Sequence, residues 1–282
     1  VATTVAPPPT KQQQPATAED KARDARRKDR IDRWLWRILG YVFFLGLWEY
    51  ASGGLMDETL LPGPTHVFTT FLELWDTGAV PGAFATTLTR IGMGFSIAFV
   101  VGMVVGVLMQ NRFLNGFFRD AVTIGVTTPG LIWALLTAII FGNRTQGPLL
   151  AIVLTTFAII TVNVAEGIKS IPRDLVDMAK AFDIGVVKRN RQIVLPHLAP
   201  FMFTGIRFGF SIAWKVTVLT EVFSSSSGIG FEMRTASQLF ALDEFLTWIL
   251  GFYVLALFLE KVVLEQIERR FFGWRTTIGG VK

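Results

Sequence analysis

Side chains able to do chemistry are sparse in this sequence. Lys215 and Glu221 lie in the otherwise apolar run SIAWKVTVLTEVF, where an ionisable group is costly and is therefore a functional candidate. Their separation is too long for a same-helix pair at i,i+4. Lys215 either attracts an anionic solute, such as a sulfonate or carboxylate, or it snorkels or pairs with a carboxylate of a neighbouring helix. Arg90 and Arg207 sit close to the ends of apolar runs and read as boundary anchors. Thr127-Thr128-Pro129-Gly130 interrupts another run. Proline there removes a helix hydrogen bond and glycine lets the backbone open, so the kink lines a path or is simply tolerated. Trp133, Thr155, Thr156, Asn163, Trp214 and Thr217 are further path candidates, with packing or interhelical hydrogen bonding as the competing role. SSSSGIG, Ser224 to Gly230, reads as an outer gate or docking element carried by Ser226, Gly228 and Gly230, or as an ordinary flexible loop.

Several chemistries are excluded. The chain has no cysteine, so it holds no disulfide, thiolate nucleophile or cysteine zinc site, and two isolated histidines, His66 and His197, do not build a metal site. No GxxxxGK[ST] phosphate loop occurs. An enzyme working inside the apolar runs needs a clustered acid, base or metal constellation, and these runs offer scattered threonines, one asparagine and one lysine.

The surroundings of these residues are lipid-like. Of 282 residues, 51% are hydrophobic and 17% charged, against about a quarter charged in an ordinary soluble domain, and the mean hydropathy is +0.47. The 25 Phe and 8 Trp against 3 Tyr suit a lipid-facing surface. Apolar runs long enough for a hydrocarbon core of about 30 Å recur at Trp34 to Leu55, Leu88 to Met109, Phe118 to Phe141, Pro148 to Ala165, Leu198 to Val222 and Phe245 to Leu264. They show little strand-like alternation, so the expected fold is an all-α membrane protein with six transmembrane helices. Residues 1–33 read as a disordered, basic tail, whose stretch Lys21 to Arg33 is either a short helix on the headgroups or a solvated charge run. Residues 34–282 read as the membrane domain.

Charge asymmetry orients it. The tail, the segment with Arg112 and Arg119, the segment from Lys169 to Arg191 and the C-terminus with Arg269, Arg270 and Arg275 must share a side, and all are basic. The opposite side carries Asp57, Glu58, Glu73 and Asp76 without Lys or Arg in its first loop. Both termini are therefore expected in the cytoplasm. The basic residues cluster beside apolar runs and form no aromatic-interleaved stripe, so nucleic acid is not an expected partner. On the outer side, Pro64 to Trp75 and Phe231 to Leu242 read as amphipathic helices.

One inner loop, 166–197, is long and carries its own helical pattern, with Ile171, Leu175, Ala179 and Phe182 on one face. Asp177-Met178-Ala179, Asp183 and Ile193-Val194-Leu195-Pro196 fall at the spacings of a Glu-Ala-Ala, Gly, Ile-x-Leu-Pro pattern. Here the sequence resembles the permease subunits of binding-protein-dependent ABC importers. Asp and Met replace Glu and the first Ala, and Asp183 occupies the Gly slot, so Gly185 is a candidate to supply the turn instead. LLPGP at Leu60 to Pro64, TTLTRIGMGF at Thr86 to Phe95, Phe141-Gly142, GIRFGFSIAW at Gly205 to Trp214, Glu221, GIG at Gly228 to Gly230 and the terminal ERRFFGWR make it most similar to the nitrate, sulfonate and taurine branch.

The resemblance implies a type I importer core in a prokaryotic inner membrane and an inward-moving small anionic solute delivered by an external binding protein. It also implies a second permease copy as a homodimer and two ATPase subunits that bind ATP and Mg, with no cofactor in this chain. The loop helix, with Asp177, Met178, Ala179, Phe182, Asp183, Gly185, Ile193, Leu195 and Pro196, would couple to the ATPase. Two alternatives stay open: an ion-gradient-driven secondary transporter, which predicts membrane-centre carboxylates and inverted repeats of broken helices, and the same architecture carrying a neutral vitamin precursor.

Overall fold

The computed structural model describes residues 18–142 and 144–266. These fall into two compact units, one ending at Pro64 and one beginning at Thr65. The first 17 residues of the expected tail and the ERRFFGWR motif from Glu268 lie outside the described residues.

The first unit is built on helix α1, Ala18–Gly54. The charged stretch Lys21 to Arg33 is thus helical and continuous with the expected first span. Beyond α1 the chain turns through Asp57, whose carboxylate accepts from the backbone N–H and hydroxyl of Thr59 at 2.9 and 2.8 Å. The glycine of LLPGP then passes close to the helix: a Cβ on Gly63 would lie 2.8 Å from Glu49 Oε2.

The second unit runs α2 (Pro64–Asp76), α3 (Ala79–Leu108), α4 (Arg112–Thr127), α5 (Gly130–Phe141), α6 (Gln146–Lys169), α7 (Arg173–Ala181), α8 (Val186–Arg189), α9 (Leu195–Ser224), α10 (Ile229–Gln238) and α11 (Leu242–Phe258). The expected outer amphipathic helices correspond to α2 and α10. All regular structure among the described residues is helical. Among the described residues four helices are long and apolar enough to cross a membrane: Ala79–Leu108, Gln146–Lys169, Val186–Ser224 and Leu242–Val262. The pair α4 and α5 makes a fifth if it is one span. Helix α1 is not among them, because Arg37, Glu49 and several Trp and Tyr dilute its apolar run. Such amphipathic rings suit a membrane interface.

Two departures from the sequence reading have clear causes. Phe118 to Phe141 is not a continuous helix with a kink but two helices bent by 103°, since Thr128 is extended, with ψ 122, and Pro129 cannot donate to continue the ladder. In the other direction, Pro196 does not begin a new helix. The chain widens into a π-helical turn over Asn190–Val194, and the Leu195 N–H donates to the Asn190 carbonyl. Helix therefore continues from Val186 to Ser224 through this π-helical turn, and only 170–185 of the expected inner loop lies outside long helices.

Helix α6 is the hub on which α3, α4, α5 and α9 pack. Its partner α3 presents Gly94, Gly102 and Gly106 to Ile152, Ile160 and Val164 of α6, the same offset in every pair, so the two helices run parallel in register. Small residues let the backbones close in where lipid offers no hydrophobic drive to helix association. The Thr161 hydroxyl takes advantage, donating across the gap to the Gly102 carbonyl at 3.2 Å. A separate apolar cluster, Val80, Ala83, Ile229, Ala236, Trp248 and Leu255, joins α10 to the start of α3 and to α11.

The contact predicts its own sensitivity. A Cβ on Gly102 would lie 2.8 Å from the Phe157 carbonyl oxygen, whereas one on Gly92 meets nothing within 4 Å. Gly102→Ala is expected to destabilise by about 1–3 kcal/mol and Gly92→Ala not at all, read as thermal unfolding midpoints in detergent. Equal midpoints would contradict this packing.

Candidate functional site

Three stretches that the sequence presents separately, TTLTRIGMGF, Glu221 and SSSSGIG, converge at one end of the helix bundle. Arg90 of α3 and Glu221 of α9 form an ion pair at 2.8 Å, with side chains 5% and 0% exposed. The Thr87 hydroxyl donates to the same carboxylate at 2.9 Å, and the Gly230 N–H donates to it at 3.1 Å. Thr87 Oγ1 in turn accepts from the Ile229 N–H at 3.0 Å. Arg90 also donates to the Ser227 carbonyl and hydroxyl at 2.7 and 2.9 Å. From the other flank, Arg234 donates to the carbonyls of Val222 and Ser225 at 3.1 and 2.8 Å.

The segment after α9 is therefore pinned on several sides, which corrects its reading as an ordinary flexible loop. Gly228 has φ +102, and any Cβ there would collide with the Glu221 carboxylate. Gly230 is equally enclosed, against the Val218 carbonyl. Of the three gate candidates only Ser226 is exposed. Arg90, expected as a boundary anchor, is buried and paired. Glu221, expected on the path, is fully buried with its carboxylate engaged, which makes it part of the scaffold. The signal in the sequence was two opposite charges in apolar runs, but nothing local joins positions so far apart.

Breaking a buried pair leaves one charge without a partner, at about 3–5 kcal/mol, whereas removing both is often far milder. Arg90→Met and Glu221→Gln are each expected to lose stability on that scale. Arg90→Met combined with Glu221→Gln should lose clearly less than the sum, in a double-mutant cycle of unfolding in detergent. Additive losses would contradict the pairing.

Other path candidates do gather. Thr128 at the end of α4, Gly130 and Leu131 in the first turn of α5, Thr155 and Ile159 of α6, and Ile212, Lys215 and Leu219 of α9 line one groove of about 340 Å³. Lys215 is exposed, with Nζ 5.2 Å from the centre of the Trp214 ring, and among the described residues it has no ion-pair partner. The carboxylate-pairing alternative is thus not realised there. Pro129 caps α5 at the break. Thr127 lies outside this groove, its hydroxyl donating to the Thr123 carbonyl at 2.8 Å. Trp214 is buried with Ile91 and Ala256 against Phe252, at 5.2 Å between ring centres, so its indole packs the core. The Asn163 amide donates to the Ile159 carbonyl at 2.9 Å. Trp133 is half-buried on α5.

The inner segment closes on itself. Helix α7 ends in a turn in which the Asp183 N–H donates to the Lys180 carbonyl at 3.0 Å and the Ile184 N–H donates to the Ala179 carbonyl at 2.8 Å. That is the Schellman pattern, and its left-handed position belongs to Asp183 itself, at φ +49. Gly185 is extended, at φ −55 and ψ 148, so it does not supply the turn, which corrects the expectation for it. Aspartate tolerates the left-handed region better than most residues, though less well than glycine. Ala179, whose carbonyl closes the turn, is fully buried, while Asp177, Met178 and Phe182 are exposed, Phe182 at 76%. Farther along, Ile193 is half-buried, and Leu195 and Pro196 are exposed.

Relieving the turn should tighten it: Asp183→Gly is expected to gain about 1 kcal/mol locally, read as roughly fivefold slower tryptic cleavage at Lys180. Asp183→Val should be cleaved faster. Identical rates in both variants would contradict the left-handed assignment.

The family model for the binding-protein-dependent transport system inner membrane component matches residues 98–271. The chain is 28% identical over 268 residues to the bicarbonate transport system permease protein CmpB of Synechococcus elongatus, covering 88% of this chain and 95% of that one. It is 26% identical over 237 residues to the taurine transport system permease protein TauC of Escherichia coli, covering 80% and 84%. Among solved structures, the inward-facing MetNI methionine ABC transporter matches with a TM-score of 0.57 at 18% identity, over 68% of this chain and 94% of that chain. That likeness concerns the fold.

Proposed function

This chain belongs to the binding-protein-dependent transport system inner membrane components and is an ABC importer permease of the nitrate, sulfonate and taurine branch; on that premise we propose that it conducts a small anionic solute inward, powered by ATP hydrolysed on a partner. The observation that carries the coupling half of this reading is the inner hairpin. A helix with Met178 and Phe182 exposed is held at the foot of the 39-residue helix Val186–Ser224. A self-closed element on a long rigid lever converts closure of a docked ATPase into rocking of the bundle, which is the logic of alternating access.

In this reading Asp177, Met178, Phe182 and Asp183 enter a cleft of the ATPase, with Ala179 holding the hairpin together beneath them. Gly185, Ile193, Leu195 and Pro196 join the hairpin to the lever. The path follows the α4–α5 break, with Thr128, Pro129, Trp133, Thr155 and Asn163 along it, while Thr127 and Trp214 support it from outside the groove. Ser226, on a pinned outer turn with Gly228 and Gly230, faces an external binding protein. The complex comprises two permease copies, two ATPase subunits that hold ATP and Mg, and that binding protein. In this reading residues 34–282 cross a prokaryotic inner membrane six times, α1 and the α4–α5 pair each making one crossing, with residues 1–33, the 166–197 segment and both termini in the cytoplasm.

The gradient-driven alternative draws on one observation, since a span broken at 103° is a feature of secondary transporters as well. Transport in vesicles separates them. With the permease, binding protein and ATPase subunit present, uptake is expected to need ATP and to vanish when the ATPase is inactivated. Uptake driven by an imposed ion gradient with an inactive ATPase would overturn the importer mechanism. Phe182→Asp should abolish co-purification of the ATPase subunit while the permease still inserts, and retention of the subunit would remove the hairpin from the coupling role.

A further inference from the structure

Lys215 carries charge in a groove that its own chain leaves open and unneutralised. Its ammonium is placed by structure: it rests on the Trp214 ring, and that indole is fixed in turn by Ile91, Ala256 and Phe252. Across the groove lies the start of α5. Gly130 brings it there, because a Cβ at that position would lie 2.8 Å from Val216 Cγ2, one residue beyond Lys215. The first turn of α5 thus abuts α9 beside the ammonium. The Ile132 N–H donates to the Pro129 carbonyl at 2.9 Å, which leaves the N–H groups of Gly130 and Leu131 without an acceptor, and the helix dipole adds positive potential at that end. Thr128, at the break, lines the same groove, and among the described residues its hydroxyl has no hydrogen-bond partner. The Thr155 hydroxyl is already donated to the Ala151 carbonyl at 2.7 Å, so it contributes wall and lone pairs only.

We propose that Lys215, with the Thr128 hydroxyl and the first turn of α5, forms an anion-binding station at the α4–α5 break, whose ligand is a small oxyanion or the oxyanion head of a small organic solute. The station rests on the reading of this chain as an anion-conducting permease and gives that reading a place in the molecule. An ammonium, a hydroxyl donor and free backbone N–H groups are all donors, and no carboxylate among the described residues lines the groove to compete. A volume of about 340 Å³ accommodates a small organic anion. The site is assembled within one protomer. Because the ligand would bridge α9 to the N-terminus of α5, its arrival ties the lever helix to the broken span.

The test uses the permease assembled with its ATPase subunit in detergent. Sodium methanesulfonate, nitrate and bicarbonate are titrated at ionic strength held constant with chloride, and the thermal midpoint is followed. At least one of the three is expected to raise the midpoint saturably. Lys215→Met should weaken that response at least tenfold, Thr128→Val severalfold, and Lys215→Arg should retain it. A wild-type midpoint unmoved by all three anions overturns the station, as does an undiminished response in Lys215→Met. ATP-dependent uptake in the vesicle assay reports separately on the importer mechanism. If it persists while the anion response is missing, the station alone falls and the neutral solute gains ground.

Discussion

The Arg90–Glu221 pair is the contact on which one end of this bundle depends. Opposite charges without water attract far more strongly than at a surface, yet each costs several kcal/mol to desolvate, so a buried pair persists only where further hydrogen bonds complete it. Here Thr87, Gly230 and Ser227 do so. The pair thereby ties α3, α9 and the entry to α10 into one block. It also dictates the glycine at position 228, where a Cβ would meet the carboxylate, while at position 230 the α9 backbone at Val218 leaves no room for a side chain. A turn rich in serine and glycine is held in place because Arg90 and Arg234 bind the Ser225 and Ser227 carbonyls within it.

Rigidity elsewhere comes from closeness instead of charge. Glycines of α3 sit against Ile152, Ile160 and Val164 of α6, and Gly125 of α4 sits against Ala158. Dispersion forces fall steeply with distance, so such approaches add up to a firm interface even without a hydrophobic drive. Against this firm frame the α4–α5 break stands out as the place where the frame opens. The groove exists because two helices stop short of each other, and Lys215 lies in it because α9 runs unbroken past the gap. A bundle that is stiff in its pairs and open at one break is suited to move as bodies rather than to deform.

How much of this was legible in the sequence can be judged residue by residue. The inner hairpin was legible, because α7 has a local periodicity and the IVLP end has a fixed spacing from Asp177. Its turn was misassigned because glycine is the usual left-handed residue, and Gly185 lay nearby. Only the hydrogen bonds to the carbonyls of Lys180 and Ala179 show that Asp183 takes that conformation. The continuity of helix through Pro196 was illegible for a similar reason. A proline reads as a boundary, and a π-helical turn leaves no mark in composition. The charges of Arg90 and Glu221 were visible singly, but each was given a role from its own neighbourhood, and a pair across 131 positions has no local signature.

The sequence by itself determined the solvent, the helical class, the family and the inner loop that carries the family's pattern. Those follow from hydropathy, periodicity and spacing, all of which act within a few turns of chain. The tertiary structure alone decided which charge was neutralised and which was left open. Glu221 and Lys215 share one helix and similar apolar surroundings in sequence, yet one is enclosed by α3 and the turn before α10 while the other faces a groove. The difference lies in which neighbours the packing brings to each face of α9, and distance in space is not written along the chain.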